Sequence, residues 1–297
     1  MNEPLPRRPA TAFGPRRPAT AFGPRRPATA FGPRRPVALT IAGTDSGGGA
    51  GVAADLKTFE AHGVWGTAAV TAVTAQNTLG VQAFESVAPE LVRAQIESVV
   101  ADIGVDAAKT GMLASLPLVE AVAAAVRDLG VHPLVVDPVM VSKHGSRLLE
   151  EEANATLFAA LLPLATVVTP NLDEASVLAG FPVTDRETME EAGRVLAAAG
   201  PPVVLVKGGH VADEGSSPDL LVVEGELRWL EGPRLDARHT HGTGCTLSAA
   251  ICAELARGME APDACVAAKR FVERAIAAGV DLGAGVGPVD PGWARDL

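Results

Sequence analysis

Short β-branched segments alternate with alanine-rich segments along the chain from Val37 onward. Apolar segments this short, without polar alternation, are typical of strands that are buried on both faces. The alanine-rich segments between them have the length of helices. Because crossover connections place helices on both faces of a parallel sheet, the alternation predicts an α/β fold with a mostly parallel central sheet between two helical layers.

The predicted strands are residues 37–42, 68–73, 107–110, 134–137, 166–169, 203–207 and 220–223, with 226–230 pairing with the last strand as a hairpin. The predicted helices are residues 51–62, 89–103, 116–129, 151–161, 173–179, 186–199, 243–257 and 263–278. Ligands of such sheets bind beyond the carboxyl ends of the strands. Polar, glycine-rich segments that follow strands are therefore the candidate functional segments.

The first 36 residues have a different character. The sequence Arg-Arg-Pro-Ala-Thr-Ala-Phe-Gly-Pro begins at Arg7, Arg16 and Arg25 and starts again at Arg34. Nine of the 23 prolines lie in these 36 residues, and proline removes amide donors and interrupts helices. We therefore predict a disordered Arg/Pro-rich tail over residues 1–36 and one α/β domain over residues 37–297.

The charge balance limits the partners of this domain. The tail carries eight arginines and one acidic residue, so residues 37–297 carry a net charge of −17, which argues against a nucleic-acid partner. The three cysteines form no CxxC pair and fit a reducing compartment. The chain has neither a signal-like apolar stretch nor a run of 18 apolar residues, so we expect a cytoplasmic protein without a membrane partner.

A glycine-containing segment, His239-Thr240-His241-Gly242-Thr243-Gly244-Cys245, leads into the apolar helical stretch 246–255. Glycines at a helix start allow backbone N–H groups to converge, and the helix dipole adds positive potential, so Gly242 and Gly244 are candidates for holding a phosphoryl group. We expect the same field to lower the pKa of the Cys245 thiol and make it a base. An ordinary helix start is the alternative interpretation.

A second glycine-rich segment, residues 43–51, follows the first predicted strand. Its spacing fits neither a Walker loop nor a dinucleotide fingerprint, so we interpret it as a backbone cradle for a small or flat ligand. An ordinary strand-to-helix turn is the alternative. Asp55, one helical turn further on, either accepts a hydrogen bond from a ligand hydroxyl or is a solvent-exposed acid.

Gln76 and Met112 follow the next two predicted strands. The amide of Gln76 donates and accepts hydrogen bonds at once, as recognition of an amino-substituted ring edge requires, although a strand-end turn also explains this segment. Met112 offers a soft apolar surface to a ring or fills the core.

Polar residues also follow the later strands. Asp137 ends the fourth strand, near the expected phosphate region. Asn171 and Glu174 either hold Mg²⁺ through its water shell or form an N-cap with an acidic first turn. Lys207 precedes two glycines, which suits a phosphate contact, whereas a strand-end lysine is otherwise solvated.

Taken together, eight segments resemble the hydroxymethylpyrimidine/phosphomethylpyrimidine kinases of thiamine biosynthesis, which belong to the ribokinase superfamily. These segments are Thr40-Ile41-Ala42-Gly43-Thr44-Asp45, Gly49-Ala50-Gly51 with Ala54-Asp55-Leu56-Lys57-Thr58, Ala75-Gln76-Asn77-Thr78, Lys109-Thr110-Gly111-Met112, Asp137-Pro138-Val139-Met140, Thr169-Pro170-Asn171, Lys207-Gly208-Gly209-His210 and Thr240-His241-Gly242-Thr243-Gly244-Cys245. The resemblance spans residues 37–288, and the tail has no counterpart in the family.

The resemblance implies a ribokinase-like three-layer sandwich and a kinase domain over residues 37–297. It implies Mg²⁺- and ATP-dependent phosphorylation of 4-amino-5-hydroxymethyl-2-methylpyrimidine, and then of its monophosphate, by a homodimer. Pyridoxal kinase activity in the same fold is the alternative, and the segment around Gln76 favours the aminopyrimidine. A catalytically silent pyrimidine-binding regulator is disfavoured because the residues expected to handle phosphate are present.

The resemblance also assigns roles to individual residues. The pyrimidine-binding residues are Gln76, Gly43, Asp55 and Met112. The nucleotide-binding residues are Lys207, Asn171, Thr243 and Lys269, and the residues implied for Mg²⁺ are Glu174, Asn171 and Asp137. The anion hole and catalytic residue are Gly242, Gly244 and Cys245, the last at a position where most sugar kinases of the superfamily have aspartate. Two departures are Ala53, where the family often has glutamine, and the absence of a histidine from residues 283–288.

Overall fold

A computed structural model of the chain describes residues 34–140, 157–209, 211 and 215–293. The contacts within the chain divide it into Met1–Arg34 and Arg35–Leu297. The predictions for residues 1–33, for the first six residues of the helix 151–161 and for His210 lie outside the described residues.

Ten strands are present in the described part of the chain. They are β1 (Val37–Ala42), β2 (Trp65–Val70), β3 (Ala72–Asn77), β4 (Gly80–Ser86), β5 (Ala107–Thr110), β6 (Leu134–Val136), β7 (Val167–Val168), β8 (Val203–Val206), β9 (Asp219–Val223) and β10 (Glu226–Leu230). Eight of them form the central sheet in the order β10-β9-β8-β7-β6-β5-β1-β2. The strands from β8 to β2 in this order pair in parallel, and β9 runs antiparallel to β8 and β10.

Helices cover both faces of this sheet. They are α1 (Gly51–Ala61), α2 (Pro89–Asp102), α3 (Leu116–Leu129), α4 (Leu172–Ala179), α5 (Arg186–Ala198), α6 (Thr243–Ala256) and α7 (Ala261–Ala277). One buried cluster packs β-strand residues such as Ile41 against α2 to α5, and a second packs residues such as Ala38 against α1, α6 and α7. The predicted three-layer α/β arrangement and the hairpin of β9 and β10 are confirmed. No helix in the described ranges is long and apolar enough to cross a membrane.

The predicted single strand over residues 68–73 is wrong. The chain leaves the central sheet at Thr71, whose hydroxyl donates to the Met112 carbonyl at 2.6 Å and whose amide donates to the Ala42 carbonyl at 3.0 Å. The following strands, β3 and β4, form a separate antiparallel sheet that was not among the predicted elements. Gln76 therefore lies on this small sheet and not at the end of a central strand.

The described end of the predicted helix 151–161 also differs from an α-helix. Leu157–Leu161 is a π-helical turn, and a 3₁₀ turn at Leu162–Leu164 follows it. Pro163 within this second turn has no amide hydrogen, so an α-helix cannot continue through it unbroken.

Arg35 packs on the α/β unit, although the repeat of the sequence extends through it. Its guanidinium donates to Glu60 Oε2 at 2.6 Å and to the Gly63 carbonyl at 2.9 Å, and it lies 5.8 Å from the centre of the Trp65 ring. The Pro36 carbonyl accepts a hydrogen bond from the Trp65 amide at 2.7 Å. The domain is therefore expected to begin two residues before the predicted boundary.

We propose that the chain shortened to begin at Arg35 folds as the full chain does. We expect its melting temperature to equal that of the full chain, because the sequence of the removed residues has no continuous apolar stretch with which to recover the entropy of ordering. A chain that begins at Val37 is the matched control, and we expect it to melt slightly lower because it lacks the Arg35 and Pro36 contacts. A large drop in melting temperature for the chain that begins at Arg35 would contradict this boundary.

Candidate active site

A buried charge cluster lies at the carboxyl edge of the central sheet, where β6, β7 and β8 end. The Lys207 ammonium lies 3.1 Å from Asp137 Oδ1 and 3.7 Å from Glu174 Oε2. The hydroxyl groups of Thr169 and Ser248 donate to the two oxygens of Asp137 at 3.2 and 3.1 Å. Burial lowers the pKa of Lys207, but the neighbouring carboxylates outweigh it and raise the pKa above the ordinary lysine value, so this residue is a cation.

Asn171 and Glu174 form a complete capping box at the start of α4. The Glu174 amide donates to Asn171 Oδ1 at 2.8 Å, and the Asn171 amide donates to Glu174 Oε2 at 2.8 Å. The N-cap interpretation of Asn171 is therefore confirmed. Burial, together with repulsion from Asp137, raises the pKa of Glu174 to about 7 despite the attraction of Lys207. The capping box thus holds, beside the charge cluster, a carboxyl group whose pKa is close to neutral pH.

The N-terminus of α6 points toward the same cluster. Gly242 caps the helix with φ of +80°, and a β-carbon there would overlap the Gly49 carbonyl oxygen. A β-carbon on Gly244 would lie 3.5 Å from Lys207 Nζ and 4.0 Å from Asp137 Oδ2. Helix geometry leaves the first amides of α6 without partners inside the helix. These donors and the Lys207 ammonium therefore face one small region beside the sheet edge.

The first turn of α6 also carries Thr243 and Cys245. The Thr243 hydroxyl donates to the Thr240 carbonyl at 2.7 Å, which holds the turn before the helix. Cys245 is partly exposed, and the Gly51 amide donates to its sulfur. The pKa of the Cys245 thiol is raised to about 11. Burial is the main cause, two nearby carboxylates add to the rise, and Lys109 opposes it. The expectation of a lowered pKa is therefore wrong, because desolvation outweighs the lowering effects of Lys109 and of the Gly51 amide.

Asp55 lies beneath the glycine-rich segment and is wholly buried. Its two oxygens accept hydrogen bonds from the Thr40 hydroxyl at 2.6 Å and from the Lys109 ammonium at 2.9 Å. The interpretation of Asp55 as a solvent-exposed acid is wrong, and direct contact with a ligand hydroxyl is also disfavoured because both oxygens have protein partners. Sequence reasoning missed Lys109 as a site residue. Its signal was a lysine in an otherwise apolar buried strand, which requires a charged partner.

Asp45, Gln76 and His241 meet at the mouth of the glycine-rich segment. Asp45 accepts hydrogen bonds from the amides of Gly47, Gly49 and Ala50 at 2.8 to 3.1 Å, which fold that segment around its carboxylate. His241 Nε2 lies 2.8 Å from Asp45 Oδ2 and 3.4 Å from Gln76 Nε2. Burial raises the pKa of Asp45, but the bonds from His241 and the backbone outweigh it and hold the pKa below its ordinary value. Sequence reasoning missed Asp45 and His241 as interacting partners.

Three further predicted site residues flank this arrangement. A β-carbon on Gly43 would lie 3.1 Å from the sulfur of Met112, so these two residues are in contact, and Met112 is mostly buried. The Lys269 ammonium donates to Asp219 Oδ2 at 2.8 Å and to the Ser217 carbonyl at 2.9 Å. Asp219 in turn accepts from the Gly208 amide at 2.8 Å. Lys269 therefore supports the segment after Lys207 through Asp219.

The structure thus gathers the predicted phosphate residues and separates them from the predicted ring-binding residues. Lys207 is mostly buried, so its interpretation as a solvated lysine is wrong. One end of the site holds the α6 N-terminus with Lys207, Asp137 and Glu174. The other end holds Gln76, Gly43 and Met112 beside the small sheet. The glycine-rich segments connect the two ends, since Gly242 touches Gly49.

A family model described as phosphomethylpyrimidine kinase matches residues 45–290, which include all the site residues described above except Thr40 and Gly43. The chain belongs to the phosphomethylpyrimidine kinase family. This membership makes the protein a phosphotransferase.

Relatives with the name hydroxymethylpyrimidine/phosphomethylpyrimidine kinase share much of the sequence. The protein of Streptomyces coelicolor is 54% identical over 87% of this chain and 95% of its own length. The protein of Bacillus subtilis is 42% identical over 85% of this chain and 93% of its own length. This kinase therefore matches relatives of that name over nearly their full length.

Solved structures of related kinases have the same fold. The ADP complex of Bacillus subtilis pyridoxal kinase superposes with a TM-score of 0.82 at 39% identity, covering 88% of this chain and 99% of that one. Staphylococcus aureus pyridoxal kinase with AMP-PCP and pyridoxal gives a TM-score of 0.81 at 34% identity, covering 89% and 96%. Phosphomethylpyrimidine kinase of Clostridium difficile gives a TM-score of 0.73 at 40% identity, covering 82% of this chain and 100% of that one. The predicted ribokinase-like sandwich is thereby confirmed.

The donor set near Lys207 suits a magnesium ion held through water. Among the described residues, no three His, Cys, Asp or Glu side chains are grouped as a direct metal site. Mg²⁺ retains several waters and needs only one or two carboxylates, which Asp137 and Glu174 supply. Burial raises the pKa of Glu174 and repulsion from Asp137 adds to the rise, and an additional cation would offset that repulsion. The residues present therefore fit the ion.

Gly242→Ala tests the contact that places the α6 N-terminus. The β-carbon would overlap the Gly49 carbonyl, so we expect the helix start to shift and kcat to fall by about 10²-fold, the effect of losing an anion-hole donor. Gly258→Ala is the matched control, because Gly258 also has a positive φ, of +90°, but has no atom within 4 Å of the added carbon. Equal kcat values in steady-state assays of the two variants would contradict the role of Gly242.

Proposed function

We propose that this kinase transfers the γ-phosphoryl group of ATP to the hydroxymethyl group of 4-amino-5-hydroxymethyl-2-methylpyrimidine. A second transfer to the resulting monophosphate then gives the diphosphate used in thiamine biosynthesis. The names of the relatives support this assignment over nearly the full domain. The observation that carries it is the convergence of the open α6 N-terminus, Lys207 and Asp137 at one edge of the sheet.

Phosphoryl transfer passes through a loose transition state, so positioning and charge stabilisation supply most of the rate. The Gly244 and Cys245 amides are oriented by the helix before any substrate binds, and they are aimed at the place where negative charge develops. Lys207 is held at the same place by its two carboxylate partners. We assign Gly242 the role of fixing this helix start, and Gly244 that of bringing the backbone close to Lys207.

Cys245 is the group we assign to accept the proton of the hydroxymethyl group in the first transfer. The bond from that oxygen to phosphorus forms while the bond from phosphorus to ADP breaks, and the proton passes to the sulfur. Since the pKa of the thiol is about 11, only a small fraction is thiolate at pH 7. In the second transfer the nucleophile is a phosphate that is already anionic. The anion hole then matters more than the base.

When it is bound, Mg²⁺ neutralises charge on the phosphates of the nucleotide. Asp137 and Glu174 are the residues we propose to hold the ion through its waters, with Asn171 fixing the Glu174 carboxyl group through the capping box. Lys269 acts one step further away, by holding Asp219 and through it the Gly208 amide. We propose that Lys269 supports the nucleotide site in this indirect way and that Thr243 lies beside the phosphates.

The adenine of ATP requires a surface next to the phosphate site. A shallow pocket lies where the segment before α6 meets the end of α7. Its lining residues are Leu235, Asp236, Ala237, Arg238, His239, Ile276, Ala277 and Gly279. His239 and Gly242 are three residues apart, so this pocket adjoins the anion hole along the chain. We propose that this pocket receives the adenine ring of ATP.

We also propose that the kinase is a cytoplasmic homodimer. Its three cysteines are free, which suits a reducing compartment. Val73, Leu79 and Phe84 on the β3–β4 sheet are 56%, 64% and 42% exposed, so this sheet carries apolar surface that a second copy would cover.

Pyridoxal kinase activity is a second candidate function. The observation that favours it is the TM-score, which is higher for two pyridoxal kinases than for the Clostridium difficile phosphomethylpyrimidine kinase. The sequence relatives favour the pyrimidine. The two activities differ only in the ring that the Gln76 end of the site receives.

A direct assay separates the two candidates. Release of ADP is measured with the pyrimidine and with pyridoxal at matched concentrations, and a phosphorylated product is identified for each. We expect kcat/KM to be at least about tenfold higher for the pyrimidine, because the Gln76 amide pairs with its amino edge. A higher kcat/KM for pyridoxal would replace the proposed function with the second candidate.

The pH dependence of the first transfer tests Cys245. The fraction of thiolate grows about tenfold per pH unit below the pKa, so kcat/KM, which reports groups of the free enzyme, is expected to rise accordingly between pH 7 and 9. The second transfer has an ionised nucleophile, so we expect its rate to lack this rise.

Two substitutions on α6 complete this test. Cys245→Ala should lower kcat of the first transfer by about 10²-fold at pH 8 and remove the rise with pH. Cys252→Ala on the same helix is the control, because Cys252 is buried in the apolar core. If Cys245→Ala retains near-normal turnover and the same pH profile, Cys245 is not the base.

A further inference from the structure

His241 lies between the anion-hole turn and the ring-binding end of the site, and the mechanism above does not use it. Its side chain is 8% exposed. Its backbone amide donates to the Gly287 carbonyl at 3.1 Å, and its carbonyl accepts from the Val289 amide at 3.0 Å. A β-carbon on Gly49 would lie 2.6 Å from the imidazole Cδ2. The backbone of His241 is therefore anchored, and Gly49 lies close against the imidazole, so the ring has little freedom to reorient.

The position of the imidazole proton follows from the partners of Asp45. Three backbone amides already donate to this carboxylate, which is therefore ionised. His241 Nε2 lies 2.8 Å from Asp45 Oδ2, and two atoms without a proton between them would repel at that distance. His241 Nε2 must therefore carry the hydrogen and has no lone pair to offer.

This assignment decides which end of the Gln76 amide can face the imidazole. The two ends of an amide have the same shape, so hydrogen bonding determines the orientation. With the amide nitrogen of Gln76 3.4 Å from His241 Nε2, two donors would face each other. With the amide turned over, Gln76 Oε1 shares the imidazole N–H with Asp45. The Gln76 NH₂ group then points away from His241, toward the ring-binding end of the site.

We propose that His241 determines the ring specificity of this kinase by fixing the orientation of the Gln76 amide. The inference rests on the proposed function. A fixed amide offers its NH₂ group to an unprotonated ring nitrogen, while Oε1 has a second lone pair for the adjacent amino group. The edge of a 4-aminopyrimidine matches this amide, because its ring nitrogen accepts a hydrogen bond and its adjacent amino group donates one. The corresponding 4-oxopyrimidine has the reverse order, with a ring N–H beside a carbonyl.

The test compares 4-amino-5-hydroxymethyl-2-methylpyrimidine with its 4-oxo analogue as substrates. We expect the unaltered enzyme to have kcat/KM at least about tenfold higher for the amino compound, because the reverse edge leaves buried donors and acceptors unpaired. In His241→Phe, which keeps a flat ring but lacks the N–H, the amide is free to turn over. We expect the ratio of the two kcat/KM values to fall to within about threefold of one.

Conservative and control variants separate this role from a structural one. The amide of His241→Gln offers N–H groups to both Asp45 and Gln76, so we expect the preference to return toward that of the unaltered enzyme. His62→Gln changes another histidine with a mostly buried side chain, whose Nδ1 lies 2.9 Å from the Thr58 carbonyl at the end of α1, and we expect its preference to be unchanged. If His241→Phe slows both substrates equally and keeps their ratio, His241 is structural and the proposal fails.

A spectroscopic measurement tests the same inference without a substrate. Nitrogen-15 spectra of the imidazole in the full, unaltered chain at pH 7, assigned with His241→Gln, report which ring nitrogen carries hydrogen. We expect His241 Nε2 to be protonated and the Gln76 NH₂ signals to shift in His241→Phe. An unprotonated Nε2 would overturn the inference, whatever the substrate is. If the unaltered enzyme phosphorylates neither pyrimidine while Nε2 is protonated, the proposed function fails and the Asp45–His241 hydrogen bond stands.

Discussion

Buried lysine–aspartate pairs hold the catalytic edge of this kinase together. Lys109 lies 2.9 Å from Asp55, Lys207 lies 3.1 Å from Asp137, and the third pair, Lys269 with Asp219, is separated by 2.8 Å. A buried ion is costly unless a partner of opposite charge and further hydrogen bonds accompany it. Each pair connects residues that are distant in the sequence, so removing one partner would disturb two elements at once.

These pairs also explain how an acidic protein can bind an anionic nucleotide. Residues 37–297 carry a net charge of −17, so their overall field repels ATP. The α6 N-terminus and Lys207 supply local positive potential at short range, where the fixed dipoles of the helix need no reorganisation. The carboxylates that hold Lys207 are the same ones proposed for Mg²⁺.

The sequence predicted most of the central sheet and the glycine-rich start of α6 well, because both depend on local patterns. Buried strands appear as apolar runs, and the start of α6 appears as a glycine-rich turn before an apolar helix. The departure of the chain at Thr71 was not predictable, since it depends on hydrogen bonds to the distant residues Ala42 and Met112. The small sheet that carries Gln76 was missed for the same reason.

The errors within the site have a common physical cause. Sequence reasoning gave Cys245 a lowered pKa from its place at a helix N-terminus, but desolvation is a property of the folded surroundings. It treated Asp55 as a side chain open to ligand or solvent, because its partner Lys109 is 54 residues away. The pairing of Asp45 with His241 spans 196 residues. Electrostatics of buried groups therefore depends on long-range contacts that no local motif contains.

The central claim is that the open amides at the start of α6 bind the phosphoryl group in transit. Nuclear magnetic resonance of the glycine-labelled kinase tests it most directly, with Mg²⁺, ADP, aluminium fluoride and the aminopyrimidine added to mimic the transition state. The account predicts that the Gly244 amide proton shifts strongly downfield, as a new hydrogen bond to an anion requires, while the Gly258 signal at the other end of the helix stays in place. An unchanged Gly244 signal in the fully bound complex would contradict the account.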